Sequence, residues 1–158
     1  MGLLKPYVGY GDRDGETHLI PNGRSITVIN PAQAAAAFSA AAATGRPVTL
    51  LSAPDAAASV GAAWFMALID NAASRFPDVR YTPVLDCGDA PGHALTALRL
   101  GLPAICFEGP AVERLQDIAG QIDSVVLTTR PESLNLSDIE ASPATIEAAC
   151  RDWLCGSE

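Results

Sequence analysis

Apolar and polar residues follow one another along this chain in a repeating order. A short apolar run is followed by a polar residue and a proline, and then by an alanine-rich or amphipathic stretch. Short apolar runs bounded by such residues are typical of buried strands, and the longer stretches between them are typical of helices. The pattern predicts strands at Ser25–Ile29, Pro47–Leu51, Tyr81–Leu85, Pro103–Phe107 and Ser124–Thr128.

The longer stretches predict helices that begin near a proline, where a missing N–H costs little. They are expected at Ala32–Ala43, Asp55–Phe76, Pro91–Leu100, Ala111–Ile122 and 142–155, with a polar connection at 131–141. Strands that alternate with helices indicate parallel pairing through right-handed crossovers. The expected fold is therefore an α/β three-layer sandwich with a mostly parallel five-stranded sheet, flavodoxin-like or Rossmann-like. It forms one domain over 25–158, preceded by an irregular arm at 1–24.

This fold class also predicts where a site would lie, because ligands of open parallel sheets bind beyond the carboxyl ends of the strands. The turn after the third predicted strand offers the densest chemistry there. Asp86, Asp89 and His93 are the catalytic candidates, since a carboxylate and an imidazole together move protons near neutral pH. Gly88 and Gly92 would let the backbone come close to a ligand.

The remaining strand ends add ligand-binding candidates at the same edge of the sheet. Arg130 is the expected anion hook, because its guanidinium grips a carboxylate or a phosphate with two hydrogen bonds. Plain structural roles compete with these hypotheses: Asp86 would hold its turn, Asp89 and Asp55 would cap helices, and Arg130 would form a salt bridge. The binding candidates are Asn30, Ser52, Gly88, Gly92, Glu108, Thr129 and Arg130.

Charge and motifs exclude several classes of function. The net charge is −8, and Lys5 is the single lysine, so neither nucleic acid nor an acidic membrane surface is an expected partner. The nucleotide-binding glycine motifs and the G-x-S-x-G elbow are absent from the sequence, and we expect no cofactor and no metal. The start lacks a leader-like apolar core and the apolar runs are too short to span a bilayer, which favours a cytoplasmic location.

One stretch resembles a known family. The segments "RPVTLLSAPDA", "FPDVRYTPVLDCGD" and "ALTALRLGLPAICFEGP" have the rhythm of the later part of response-regulator receiver domains. Ser52 stands where that family has its phospho-accepting aspartate, and Glu108 precedes a glycine and a proline where it has a lysine. The resemblance therefore implies a flavodoxin-like architecture and does not imply phosphotransfer.

Three functions follow as hypotheses. The first is an interaction or receiver-like module that acts as a homo-oligomer through the helix at 55–76, whose two apolar stripes would bury two sides. The second is a small-molecule enzyme (isomerase, lyase or hydrolase) or a metabolite-binding protein, with a site for a small anionic ligand at the strand ends. The third is a thiol sensor that uses Cys87, since a position just before a helix would lower the pKa of that thiol.

Overall fold

A computed structural model describes residues 23–139 and 142–156 of the chain. Six parallel strands form one sheet in the order β5-β4-β3-β2-β1-β6. The strands are β1 (Arg24–Thr27), β2 (Val48–Leu51), β3 (Tyr81–Asp86), β4 (Ala104–Cys106), β5 (Val125–Leu127) and β6 (Ser133–Asn135).

Helices follow the strands and pack beside one another in the same order as the strands. Contacts join α6 to α1, α1 to α3, α3 to α4 and α4 to α5, so these helices form a row along the sheet. They are α1 (Pro31–Thr44), α2 (Ala56–Ser59), α3 (Ala62–Ala73), α4 (Pro91–Arg99), α5 (Val112–Gln121) and α6 (Pro143–Cys155).

The predicted α/β class, a parallel sheet flanked by helices of the flavodoxin-like or Rossmann-like kind, is confirmed. The sheet has six strands rather than five, because the connection predicted at 131–141 contains β6 and a short 3-10 turn at Leu136–Asp138. Leu134 and Leu136 pack against the core from this segment, although polar neighbours on both sides hide them in the sequence. Most of the predicted arm at 1–24 lies outside the described residues, while Arg24 begins β1.

The helix predicted at 55–76 is not continuous. It is divided into α2 and α3 at Gly61, which adopts a φ of +84°. Glycine reaches that left-handed conformation without a Cβ clash, so it provides a break in an otherwise helical pattern. Phe65 and Ile69 of α3 are buried, whereas Val60 and Trp64 are each 44% exposed.

The sheet is rolled rather than flat. Only residues 128–132 connect β5 to β6, although these strands stand at the two ends of the strand order. Six extended Cα steps span at most about 22 Å, whereas the outer members of six strands laid flat are about 24 Å apart. A cavity of about 240 Å³ is lined both by Gly23–Ser25 and by Leu127, so the rolling brings β5 close to β1.

The two faces of the rolled sheet are packed differently. Toward the helices, alternate strand residues such as Ile26, Leu50 and Ile105 join the large core. On the opposite face a smaller cluster is buried, made of Leu51, Val84, Ala104 and Cys106, with Val125 and Leu127 against it. The rolled face also buries polar side chains, because Ser25, Thr27 and Thr49 are at most 5% exposed. The α/β architecture therefore has a row of helices packed against one face of the sheet and a small, partly polar cluster on the other face.

The last helix closes the fold against the first strand. The Trp153 indole N–H donates to the Ser25 carbonyl at 2.9 Å, and the Arg24 guanidinium lies 4.0 Å from the centre of the Trp153 ring. This contact combines a satisfied indole with a cation–π interaction. Within residues 23–139 and 142–156, none of the helices has the length and apolarity needed to cross a bilayer.

Candidate functional site

A cleft of about 370 Å³ lies over the carboxyl ends of β2, β3, β4 and β5. Loops after β2, β3, β4 and β5 supply its walls, as expected for a parallel sheet. Residues from all four loops line this one cleft. The residues that line it are Asp55, Asp86, Gly88, Asp89, Cys106, Phe107, Glu108, Leu127, Thr128 and Arg130.

Asp86 is the best-connected side chain of the cleft. Its Oδ1 accepts the backbone N–H of Gly88 at 2.9 Å and that of Asp55 at 3.2 Å. Its Oδ2 accepts Arg130 Nη1 at 2.8 Å, which makes a salt bridge. The structural role proposed for Asp86, holding its turn, is therefore confirmed, and the same carboxylate also fixes the loop after β2.

Arg130 belongs to the connection between β5 and β6, yet it contacts the ends of three other strands. Besides Asp86 on β3, its Nη2 donates to the Ser52 carbonyl at 2.8 Å and to Thr27 Oγ1 at 3.3 Å. The salt bridge considered for Arg130 is thus present, with Asp86 as the partner. That carboxylate offsets the positive charge of Arg130 within the cleft.

Two backbone conformations at the cleft are unusual. Asp55 adopts a left-handed φ of +56°, which costs a residue with a Cβ about 1–3 kcal/mol. Gly88 opposite it has a φ of +55°, and a Cβ there would come within 2.6 Å of Asp55 Oδ1. Asp55 precedes α2 but makes no side-chain cap, so the capping role considered for it is wrong.

Asp89 and Glu108 complete the acidic rim, and both are exposed. The capping role considered for Asp89 is also wrong, because α4 begins after Ala90 and has no side-chain cap. The Glu108 N–H donates to the Gly88 carbonyl at 2.9 Å, which ties the two loops together. Four carboxylates therefore face one guanidinium in this cleft.

The other predicted site residues are not brought to the cleft. His93 and Gly92 are exposed near the start of α4 and do not line it, and Thr129 lines the cavity beside β1 instead. Asn30 caps α1, with Oδ1 accepting the Gln33 N–H at 2.9 Å. Ser52 lies beneath the cleft, where its Oγ accepts the Asp86 N–H at 2.9 Å.

Thr27 is the contact that sequence reasoning missed. It stands on β1 between Ile26 and Val28, so it points to the face opposite these core residues. Thr27 and Ser25 alternate with core residues along β1, and Thr49 does the same on β2. This alternation is the signal in the sequence for a polar inner face. The apolar floor of the cleft, Cys106, Phe107 and Leu127, belongs to apolar runs that predict buried strands and give no signal for a site.

The thiols near the cleft are held in the neutral form. Burial, followed by the charge of Asp86, raises the pKa of Cys87 to about 12. The same causes, in the same order, raise the pKa of Cys106 to about 12. The lowered pKa expected for Cys87 is therefore wrong, because its side chain is fully buried on the helix face of the sheet.

No group of three or more His, Cys, Asp or Glu side chains in the described ranges is arranged to hold a metal ion. Comparison with known protein families and with curated proteins finds no match to this chain.

Proposed function

We propose that the protein binds a small, positively charged ligand in the cleft over β2–β5. The observation that supports this proposal is the net negative charge of the side chains that line the cleft. Arg130 and Asp86 neutralise each other at 2.8 Å, so Asp55, Asp89 and Glu108 dominate the potential of the cleft. A concave site lined by one sign of charge concentrates ligands of the opposite sign.

Size and shape restrict the ligand further. At about 370 Å³ the cleft is near the lower end of the usual range for small-molecule sites, which extends from about 300 to 1,000 Å³. Leu127 and Cys106 offer apolar contact below the rim of carboxylates. A short aliphatic amine, diamine or guanidine matches this combination of an acidic rim and an apolar floor.

This proposal differs in sign from the anionic ligand expected from the sequence. That expectation depended on a free Arg130, whereas the guanidinium is engaged by Asp86, Ser52 and Thr27. The strained Asp55 supports a functional use of the cleft, since such conformations cluster at functional sites. The catalytic roles of Asp86, Asp89 and His93 stay predictions.

Calorimetric titration with a panel of diamines and guanidines, against phosphate and dicarboxylates, tests the proposal. We expect binding of a cation, weakened about tenfold by Asp89→Asn or Glu108→Gln, because each removes one attractive charge. Asp117→Asn on the exposed face of α5 is the matched control and should leave affinity unchanged. Binding of anions alone, or equal loss in the control, would contradict the proposal.

A second candidate function is assembly with another copy of the chain through α2 and α3. It is supported by Val60 and Trp64, which are four positions apart and each 44% exposed. Large aromatic side chains are enriched in interfaces. Light scattering over a range of concentrations should show a dimer or larger species that Trp64→Ser dissociates. A wild type that stays monomeric throughout would exclude this candidate.

A further inference from the structure

The Arg130 guanidinium occupies a fully formed set of acceptors. A carboxylate oxygen of Asp86, the carbonyl oxygen of Ser52 and the hydroxyl of Thr27 surround it at 2.8, 2.8 and 3.3 Å. Charge-assisted hydrogen bonds of this kind are the strongest and most selective for a planar guanidinium. All three residues are at most 8% exposed, so the set lies at the bottom of the cleft.

These acceptors are held in place by contacts that do not involve Arg130. Asp86 Oδ1 is fixed by the N–H groups of Gly88 and Asp55. The backbone of Ser52 is held by its N–H, which donates to the Val84 carbonyl at 3.0 Å, and the Thr27 hydroxyl lies 2.8 Å from the Ser133 hydroxyl. The acceptor set is therefore preorganised by the strands themselves and would persist without the arginine.

The segment that carries Arg130 has open space on both sides. Thr128 and Arg130 line the cleft, whereas Thr129, Pro131 and Glu132 line the cavity of about 240 Å³ beside β1. Withdrawal of the arginine would therefore disturb little packing. Its side chain is 28% exposed, so water already reaches it.

We propose that Thr27, Ser52 and Asp86 form a guanidinium subsite, and that Arg130 is its internal occupant. This deepens the proposed function and rests on it for the natural ligand, which would carry a guanidinium or a similar planar cation. Such a ligand displaces Arg130 and gains the carboxylates of Asp55, Asp89 and Glu108 at the rim. In the free chain Arg130 competes at an effective concentration on the order of millimolar, which weakens binding.

Chemical rescue tests the subsite directly. Arg130→Ala should lower the melting temperature by about 10 °C, because the largely buried Asp86 carboxylate loses its ionic partner. Guanidinium chloride or agmatine at low, non-denaturing concentration should restore about half of that loss, while sodium chloride at equal ionic strength should not. Arg99→Ala, at the exposed end of α4, is the matched control and should show no response to guanidinium.

Further variants keep the test decisive if Arg130→Ala does not fold. Arg130→Gln retains a donor to the same acceptors, and guanidinium should raise the melting temperature of this variant in the same way. Adding Asp86→Asn to either variant should abolish the rescue. No guanidinium response in both single variants, or a response that survives Asp86→Asn, would overturn the inference.

The same measurements separate this inference from the proposed function. Cation binding by the wild type without rescue would overturn the subsite and leave the acidic cleft as a binding site. Rescue without cation binding by the wild type would support the subsite and contradict the proposed function. If both hold, agmatine should bind Arg130→Ala about tenfold more tightly than the wild type, because the internal competitor is gone.

Discussion

At the scale of single residues, the alternation of side chains along a strand gives sequence neighbours different surroundings. Asp86 and Cys87 are neighbours in the sequence, yet Asp86 enters the cleft while Cys87 enters the core beneath the helices. The alternation of β3 continues past its last residue, Asp86, and separates the two, since successive extended residues point to opposite faces. The thiol is thereby removed from solvent, and the carboxylate becomes the anchor of two loops.

The buried thiols predict a loss of stability in alkali. Folding raises the pKa of Cys87 and of Cys106 from 9.0 to about 12. Below pH 9.0 both states keep these protons, so stability is full; above it the unfolded chain alone releases them. Each thiol should then lower the free energy of unfolding by about 1.4 kcal/mol per pH unit.

Urea denaturation between pH 8 and 11 measures this slope. Cys87→Ala should reduce the slope of the free energy of unfolding against pH by the contribution of one thiol. The variant should also be less stable at neutral pH, because it leaves a small cavity. Cys155→Ala is the control, because that thiol is exposed and its removal should leave the slope unchanged. An identical slope in wild type and Cys87→Ala would contradict the assignment.

At the scale of elements, local signals set where helices begin and end. Asn30 caps α1 through the Gln33 N–H, and the Gln33 Oε1 returns the bond by accepting the Ile29 N–H at 2.9 Å. This reciprocal pair satisfies two N–H groups that have no partner within the helix. Pro31 and Gly45 then mark the first turn and the left-handed end, with a φ of +67° at Gly45.

Removal of the α1 cap should have a measurable cost. Asn30→Ala is expected to lower the free energy of unfolding by about 1 kcal/mol, because the Gln33 N–H loses its acceptor. Thermal or urea unfolding measures it. Ser142→Ala, which removes the corresponding cap of α6, should cost a similar amount. A loss of cation binding without a loss of stability in Asn30→Ala would instead favour the ligand-binding role predicted for Asn30.

At the scale of the whole molecule, strand order and connection length together decide the shape. The chain passes from β5 directly to β6 on the far side of β1, which a flat sheet does not allow. The resulting inner face holds side chains of small or medium size. Ala104 and Cys106 on β4 stand there next to Val84, with Val125 alongside.

Enlarging a side chain on this inner face should destabilise the fold. Ala104 is 2% exposed, so Ala104→Leu should lower the free energy of unfolding by about 1–3 kcal/mol through overpacking. Ala43→Leu on the exposed side of α1 is the matched control and should be nearly neutral. Urea denaturation compares the two. Equal tolerance at both positions would mean that the inner face is more open than the rolled sheet requires.

The sequence by itself determined the strands, most helix ends and the edge at which a site would lie. These depend on local causes: the apolar period, prolines at helix starts and glycines at helix ends. Asp86, Asp89, Glu108 and Arg130 could be assigned to the cleft because each follows a strand in a parallel sheet. The short β6, at residues 133–135, escaped prediction because three residues carry little periodicity.

Only the tertiary structure decided how these pieces combine. The roll of the sheet, the pairing of Arg130 with Asp86 and the approach of Thr27 join residues 44 and 103 positions apart in the chain. Nothing local encodes such contacts, since they follow from register, twist and the length of the connection at 128–132. These contacts also decide the charge of the cleft, because Arg130, the anion-binding candidate of the sequence, pairs with Asp86 of the same chain.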